Sequence, residues 1–191
     1  LHGNYITIFW ALESVLLIWL AQKSGIVMYR FASVIITFLM AASLMGDWSQ
    51  VYSDYQEVPL RILLNKGFVT GIVSALSMLA VVLLLKKEKE PVSYLGISFN
   101  PKIYGSIITI VFLVFLYLTG LIELVYQANE RIYFGITVTV IAGAYHFLFF
   151  AALNLLSKPF TSNAALTTRY ILNFFNAVVF VLFFALFPIA D

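Results

Sequence analysis

The stretch that decides the fold is Lys66-Gly67-Phe68-Val69-Thr70-Gly71-Ile72-Val73-Ser74-Ala75-Leu76-Ser77-Met78-Leu79-Ala80-Val81-Val82-Leu83-Leu84-Leu85. No charge lies between Lys66 and Lys86, and the polar members are small hydroxyls. A helix rises about 1.5 Å per residue, so roughly 20 apolar residues cross the hydrocarbon core of a bilayer. This run has that length and that composition. Working outward from it, five more runs of the same kind are found, at about 5–22, 25–44, 104–127, 132–156 and 164–187. Pro59, Pro91, Pro101 and Pro159 fall between the runs, and Pro188 closes the last. Proline breaks helices because it lacks a donor and clashes with the preceding turn, so its placement supports the partition.

Composition agrees. Of 191 residues, 62% are hydrophobic and only 10% charged, and the mean hydropathy is +0.99. A soluble domain averages about 25% charged residues. Disorder needs the opposite balance of low hydrophobicity and high charge. A β-barrel would show alternating segments of about ten residues rather than continuous apolar runs. The predicted fold is therefore all-α: a polytopic integral membrane protein in which six transmembrane helices form a single bundle of antiparallel hairpins. Its first partner is the lipid bilayer. The net charge of +2 is too small, and the basic residues too scattered, to argue for nucleic acid. Cysteine is absent, which excludes disulfides, thiol nucleophiles and Cys-ligated metals. The start Leu1-His2-Gly3-Asn4 lacks the basic stretch of a signal peptide and an initiator Met, so the chain reads as a piece of a longer one.

Orientation follows from Lys and Arg in the short loops. Lys23, Lys86, Lys87, Lys89, Lys102 and Lys158 lie on one side, against Arg61, Lys66 and Arg131 on the other. The richer side, with loops 23–24, 86–103 and 157–163, is expected to face the cytoplasm. Both termini are then outside, and a bacterial inner membrane is the expected location. The link Met45 to Asn65, with Trp48, Tyr52 and Tyr55 among Asp47, Asp54 and Glu57, is expected to be an interfacial segment. The run Lys86-Lys87-Glu88-Lys89-Glu90 is expected to be solvated.

Ionisable residues in hydrocarbon are costly, so each is a functional candidate. Glu13 lies mid-span in the first helix, and Arg30 lies about 7 Å into the second. The tight Lys23-Ser24 turn makes these helices neighbours, so the two side chains are expected to meet, as a coupled gating pair or as a structural ion pair. Arg169, Asn173 and Asn176 share one face of the sixth span. His146 in the fifth span, Asn173, Glu13 and Ser74 lie at similar depth and suggest a polar layer, read either as a substrate path or as interhelical hydrogen bonding. Glu123 is expected to reach the interface and pair with Arg131. Gly67, Gly71 and Ala75 form a small-xxx-small face that lets a neighbouring helix approach closely. It is expected to pack within the bundle or against a missing segment or subunit. No catalytic motif, metal site or cofactor site is signalled.

The run Phe9-Trp10-Ala11-Leu12-Glu13-Ser14-Val15-Leu16-Leu17-Ile18-Trp19-Leu20-Ala21-Gln22-Lys23-Ser24-Gly25, followed by Tyr29-Arg30, resembles a bacterial family of predicted membrane proteins, domain of unknown function 2339. Pro59-Leu60-Arg61-Ile62-Leu63-Leu64-Asn65-Lys66-Gly67-Phe68 is similar to that family's Leu-Asn-x-x-Phe entry to a following helix. The resemblance covers about residues 5–85. It implies a longer chain with more spans, and it implies no activity. Taken together, the residues predict a helical module of a larger membrane protein, acting in transport or permeation, with an assembly scaffold as the alternative and the membrane part of an enzyme as a third reading. A transport role predicts a wet cavity lined by Glu13, His146 and Asn173. A scaffold predicts those groups paired and dry.

Overall fold

A computed structural model describes residues 3–53, 59–88, 90–94, 96–132 and 135–157, and beyond these residues 170, 173, 174, 176–179 and 181. The elements are α1 (Asn4–Ser24), α2 (Met28–Ser53), α3 (Lys66–Leu85), β1 (Val92–Tyr94), β2 (Ile97–Phe99), α4 (Pro101–Arg131) and α5 (Gly135–Ser157). All five helices are long and apolar enough to cross a membrane. The sixth expected span, 164–187, lies largely outside the described residues. The chain divides into two compact units, residues 1–123 and 124–191.

In the first unit the helices pack through seams that recur every three to four residues. Thr7, Ala11, Ser14, Ile18 and Ala21 are the buried residues of α1. Ser33, Thr37, Met40, Leu44 and Asp47 are buried along α2. Gly67, Gly71, Ser74, Met78, Val81 and Leu85 make the matching seam on α3. A repeat near 3.5 residues keeps a stripe facing its neighbour along the whole contact, the packing of left-handed bundles. These seams are rich in Gly, Ala, Ser and Thr. The outward faces carry Phe9, Leu12 and Leu16 on α1, Ile35 and Phe38 on α2, and Leu76 and Leu83 on α3, all exposed. Small polar residues inside and large apolar residues outside reverse the soluble pattern. That arrangement suits a solvent of lipid tails, where close packing and hydrogen bonds hold helices together rather than hydrophobic burial.

Hydroxyls close the seams. Ser33 Oγ donates to the Ser14 carbonyl at 2.9 Å, tying α2 to α1. Thr37 and Tyr104 share a hydrogen bond of 3.0 Å between α2 and α4. At helix starts, Asn65 Oδ1 accepts from Phe68 N at 2.9 Å and caps α3, while Asn100 Oδ1 accepts from Lys102 N at 3.0 Å ahead of Pro101 and caps α4.

Three boundaries differ from the sequence expectation. First, α2 does not stop at Leu44 but runs on to Ser53. The first part of the expected interfacial link, residues 45–53, is its last turns, and Asp47 and Trp48 are both buried. Gly46 has the lowest helix propensity there and interrupts nothing. Second, α4 runs through the expected Ala128–Arg131 turn and ends at Arg131, with α5 starting at Gly135. Third, the link after α3 carries an antiparallel hairpin that pairs Val92 with Phe99 and Tyr94 with Ile97. Gly96, at φ 79°, supplies the left-handed turn residue. Phe99 is buried and stacks edge-on to Phe31 at 5.9 Å, with Tyr104 at 5.4 Å, which docks the hairpin on the starts of α2 and α4.

Candidate functional site

The densest polar site of the first unit centres on Glu123 of α4, which is 3% exposed. Tyr52 Oη, at the end of α2, donates to Glu123 Oε2 at 2.8 Å. Asn65 Nδ2, from the cap of α3, donates to the same oxygen. Leu63 N donates to Oε1 at 3.0 Å. Three donors converging on one group suit a carboxylate, which only accepts. Asn65 therefore serves twice, capping α3 through Oδ1 and binding Glu123 through Nδ2. Leu63 sits at φ 59°, an unusual conformation for a residue with a side chain, and that conformation presents its N–H to the acid. The expected partner of Glu123 was Arg131. Instead Arg131 Nε donates to Gln127 Oε1 at 3.3 Å on its own helix, and Glu123 turns inward. A ring of donors from α2, the loop and α3 replaces solvation by the interface.

The close approach that builds this ring depends on two glycines. A Cβ on Gly67 would stand 2.6 Å from the Tyr52 ring, and one on Gly71 would stand 2.6 Å from Thr119 Oγ1. Trp48 Nε1 also donates to the Gly67 carbonyl at 3.3 Å. With Ala75 buried on the same helix, the Gly67, Gly71, Ala75 face is occupied inside the unit by α2 and α4. Ser74 is fully buried, and its Oγ meets no hydrogen-bond partner among the described residues.

A second buried acid, Asp47, accepts from Thr7 Oγ1 at 2.6 Å, and Thr7 shares a 2.6 Å bond with Ser43. Asn4 Nδ2 donates to Thr70 Oγ1 at 3.3 Å nearby, so the start of α1 is pinned to both α2 and α3.

The expected Glu13–Arg30 pair is not formed. Arg30 Nε instead meets Glu88 Oε2 at 2.8 Å, with the side chains 13% and 8% exposed. Helical phase explains the difference. Arg30 continues the Ser33, Thr37, Met40 seam of α2 toward its end, where Glu88 follows α3. Glu13 stands one residue off the α1 seam, beside Ser14, and is half-buried. Carrying a guanidinium deeper to reach it would cost more than ending at the interface. Glu13 makes no hydrogen bond or ion pair among the described residues. Glu88, expected to be a solvated charge, is thus a buried member of the fold.

In the second unit, His146 is buried and lies 4.6 Å from the Phe150 ring centroid. Asn173 Oδ1 accepts from Asn154 Nδ2 at 2.7 Å, and the same amide donates to the Phe150 carbonyl at 3.0 Å. Arg169 lies outside the described residues. Of the expected polar layer, Glu13 and Ser74 belong to the first unit and His146 and Asn173 to the second.

Sequence reasoning missed Asp47, Tyr52, Asn65, Glu88 and Asn154. A signal for Asn65 was present, since Asn immediately before an apolar run is a helix cap. Asp47 was hidden by the assumption that α2 ended where its apolar run did. No protein-family model, curated protein or solved structure matches the chain.

Proposed function

We propose that this chain is a membrane-embedded helical module that serves as an assembly scaffold within a larger integral membrane protein. The observation that carries the reading is Glu123, a buried acid closed off by donors from three other parts of the first unit. An acid that serves a conduit needs access to water or to a cargo. An acid ringed by protein donors fixes helix positions. The Thr7–Asp47 and Arg30–Glu88 bonds act in the same way at two other places. The likeness of residues 5–85 to the domain of unknown function 2339 family, and an orientation with both termini outside, belong to this proposal.

Transport is the second reading, and Glu13 favours it, as a half-buried acid at membrane depth without a partner among the described residues. One pair of variants separates the two. After reconstitution into liposomes loaded with a pH-sensitive dye, a scaffold leaves proton permeability at the level of empty vesicles, and Glu123→Gln lowers thermal stability. A conduit raises permeability, and Glu13→Gln abolishes the rise with stability kept. A proton flux sensitive to Glu13 would sink the scaffold reading.

A further inference from the structure

On the lipid-facing side of the first unit, α1 and α3 leave an apolar groove of about 750 Å³, lined by Leu12, Leu16, Val73, Leu76, Ala80 and Leu83. At its end lies a polar pocket of about 610 Å³ lined by Gln22, Lys23, Arg30, Lys87, Glu88 and Glu90. Trp19, Leu84 and Lys87 belong to both walls, so the two are continuous. From Val73 to Leu84 the groove extends roughly 16 Å along α3, close to half of the ~30 Å hydrocarbon core, the depth of one leaflet. Trp19 stands where the apolar wall becomes polar, the position tryptophan favours at a membrane interface.

The charges in the pocket are unevenly used. Arg30 and Glu88 pair through Nε and Oε2. Glu88 Oε1 is buried and has no hydrogen-bond partner among the described residues, and its side chain is only 8% exposed. Lys23 and Lys87 have no ion pair or hydrogen bond to another side chain among the described residues, and neither has Glu90. The pocket thus offers two cations suited to a phosphate, and, beside them, an orphaned buried carboxylate oxygen with a second carboxylate suited to an ammonium. A buried oxygen without a partner costs free energy unless something donates to it.

We propose that this continuous groove and pocket bind one phospholipid of the ethanolamine class. One acyl chain lies along α1 and α3, the phosphate rests between Lys23 and Lys87, and the primary ammonium donates to Glu88 Oε1 and Glu90. A choline headgroup cannot donate there, because its nitrogen carries no hydrogen. A glycerol headgroup brings no positive charge to the two carboxylates. The site rests on the membrane reading alone and is the same for a scaffold and for a conduit.

The test uses the purified chain, stripped of lipid in a nonionic detergent and mixed in turn with palmitoyl-oleoyl phosphatidylethanolamine, phosphatidylcholine or phosphatidylglycerol. Native mass spectrometry reads the bound lipid. The expected result is one tightly held ethanolamine lipid per chain, about tenfold or more preferred over the choline lipid, the factor that one charge-assisted hydrogen bond supplies. Lys23→Gln with Lys87→Gln should weaken all three lipids. Glu90→Gln, at an exposed position, should reduce the preference for ethanolamine without affecting folding, and Glu88→Gln should abolish it. Ala80→Phe should narrow the groove and lower retention of every diacyl lipid. Equal retention of the three lipids, stronger retention of phosphatidylglycerol, or indifference to the lysine variants would each overturn the proposal. A chain that inserts stably into liposomes yet holds no lipid in detergent defeats the site and leaves the membrane reading standing. A chain extracted from liposomes by alkaline carbonate defeats the membrane reading itself.

Discussion

Replacing Glu123 by Gln keeps the shape of the side chain and removes one acceptor. In the native site Oε2 accepts from Tyr52 and Asn65, and Oε1 accepts from Leu63 N. An amide offers one oxygen and one NH₂ group. With its oxygen toward Asn65, the NH₂ faces the Leu63 N–H. With its oxygen toward Leu63, the NH₂ faces Asn65 Nδ2. Either way two donors oppose each other in a buried site. A hydrogen bond to a charged group contributes about 1.5–3 kcal/mol, and a stranded buried donor costs about 1–3 kcal/mol. We therefore expect Glu123→Gln to destabilise by about 2–4 kcal/mol, because part of the network rearranges around the remaining oxygen. At about 2–4 °C per kcal/mol for a chain of this size, the melting temperature should fall by about 5–15 °C.

Tyr52→Phe removes one donor and strands none, so its cost should be smaller, about 1–2 kcal/mol. Tyr52 Oη lies 3.1 Å from Asn65 Oδ1 as well as 2.8 Å from Glu123 Oε2, and its single proton serves one of them at a time. The two variants therefore disturb one network, and the double variant should lose less than the sum by about 0.5 kcal/mol or more. The assay is thermal unfolding in detergent followed by tryptophan fluorescence, with Trp48, bonded to the Gly67 carbonyl, as a nearby reporter. A Glu123→Gln melting temperature within about 1 °C of the parent, or strictly additive losses, would refute the view of Glu123 as a structural hub, since surface substitutions away from such features stay within about 0.5 kcal/mol.

Gly71→Val should destabilise by about 1–3 kcal/mol or more, because the new atoms meet Thr119; Gly71→Val with Thr119→Ala, which removes both Oγ1 and Cγ2, should recover part of the loss, and no recovery would mean that Thr119 is not what the side chain strikes. In a double-mutant cycle on melting temperature Arg30→Gln should couple to Glu88→Gln and add independently to Glu13→Gln, and coupling to Glu13 instead would reinstate the hairpin pair. Leu63→Gly should be neutral or stabilising by up to about 1 kcal/mol, because glycine accepts the left-handed conformation that leucine resists; a marked loss would show that the exposed Leu63 side chain matters more than its backbone. Cysteines at Leu64 and Lys87, which flank α3, should react with an impermeant thiol reagent from opposite faces of the membrane, the Lys87 site from the cytoplasmic side, and labelling of both from one side would contradict a spanning α3.

Five of the six expected spans correspond to helices long and apolar enough to cross a membrane, because length and hydropathy set them. The run from Lys66 to Leu85 was placed correctly at both ends, since Asn65 caps its start and Lys86 opens the charged stretch after it. The end of α2 was not readable. An apolar run marks where lipid ends, not where a helix ends, and Asp47 stays helical because Thr7 on α1 hydrogen-bonds it. The partner of Arg30 was hidden for a related reason. Sequence gives depth along an axis, but Glu88 is close only after α3 has folded back beside α2. The hairpin at 92–99 carried alternating apolar and polar residues, yet it is short and its stability comes from docking Phe99, a tertiary effect.

One physical thread connects the glycines to the acid they surround. In lipid, helix contacts must be close to be favourable, because tails pack against leucine as well as another leucine does. Gly67 and Gly71 allow that closeness on α3, bringing Tyr52 of α2 and Thr119 of α4 to positions that a Cβ would occupy. Glu123 follows Thr119 by one turn on α4, and Asn65 precedes Gly67 by two residues. The approach that places Thr119 on Gly71 therefore also carries Glu123 to Asn65 and Tyr52. Glycine at two positions and an acid at a third are thus parts of one device. Enlarging a glycine should open the ring around Glu123 before it exposes any apolar surface, so in Gly71→Val the further cost of Glu123→Gln should shrink. If that cost stays at its full value in the Gly71→Val background, the glycines and the acid act separately and the device is not one.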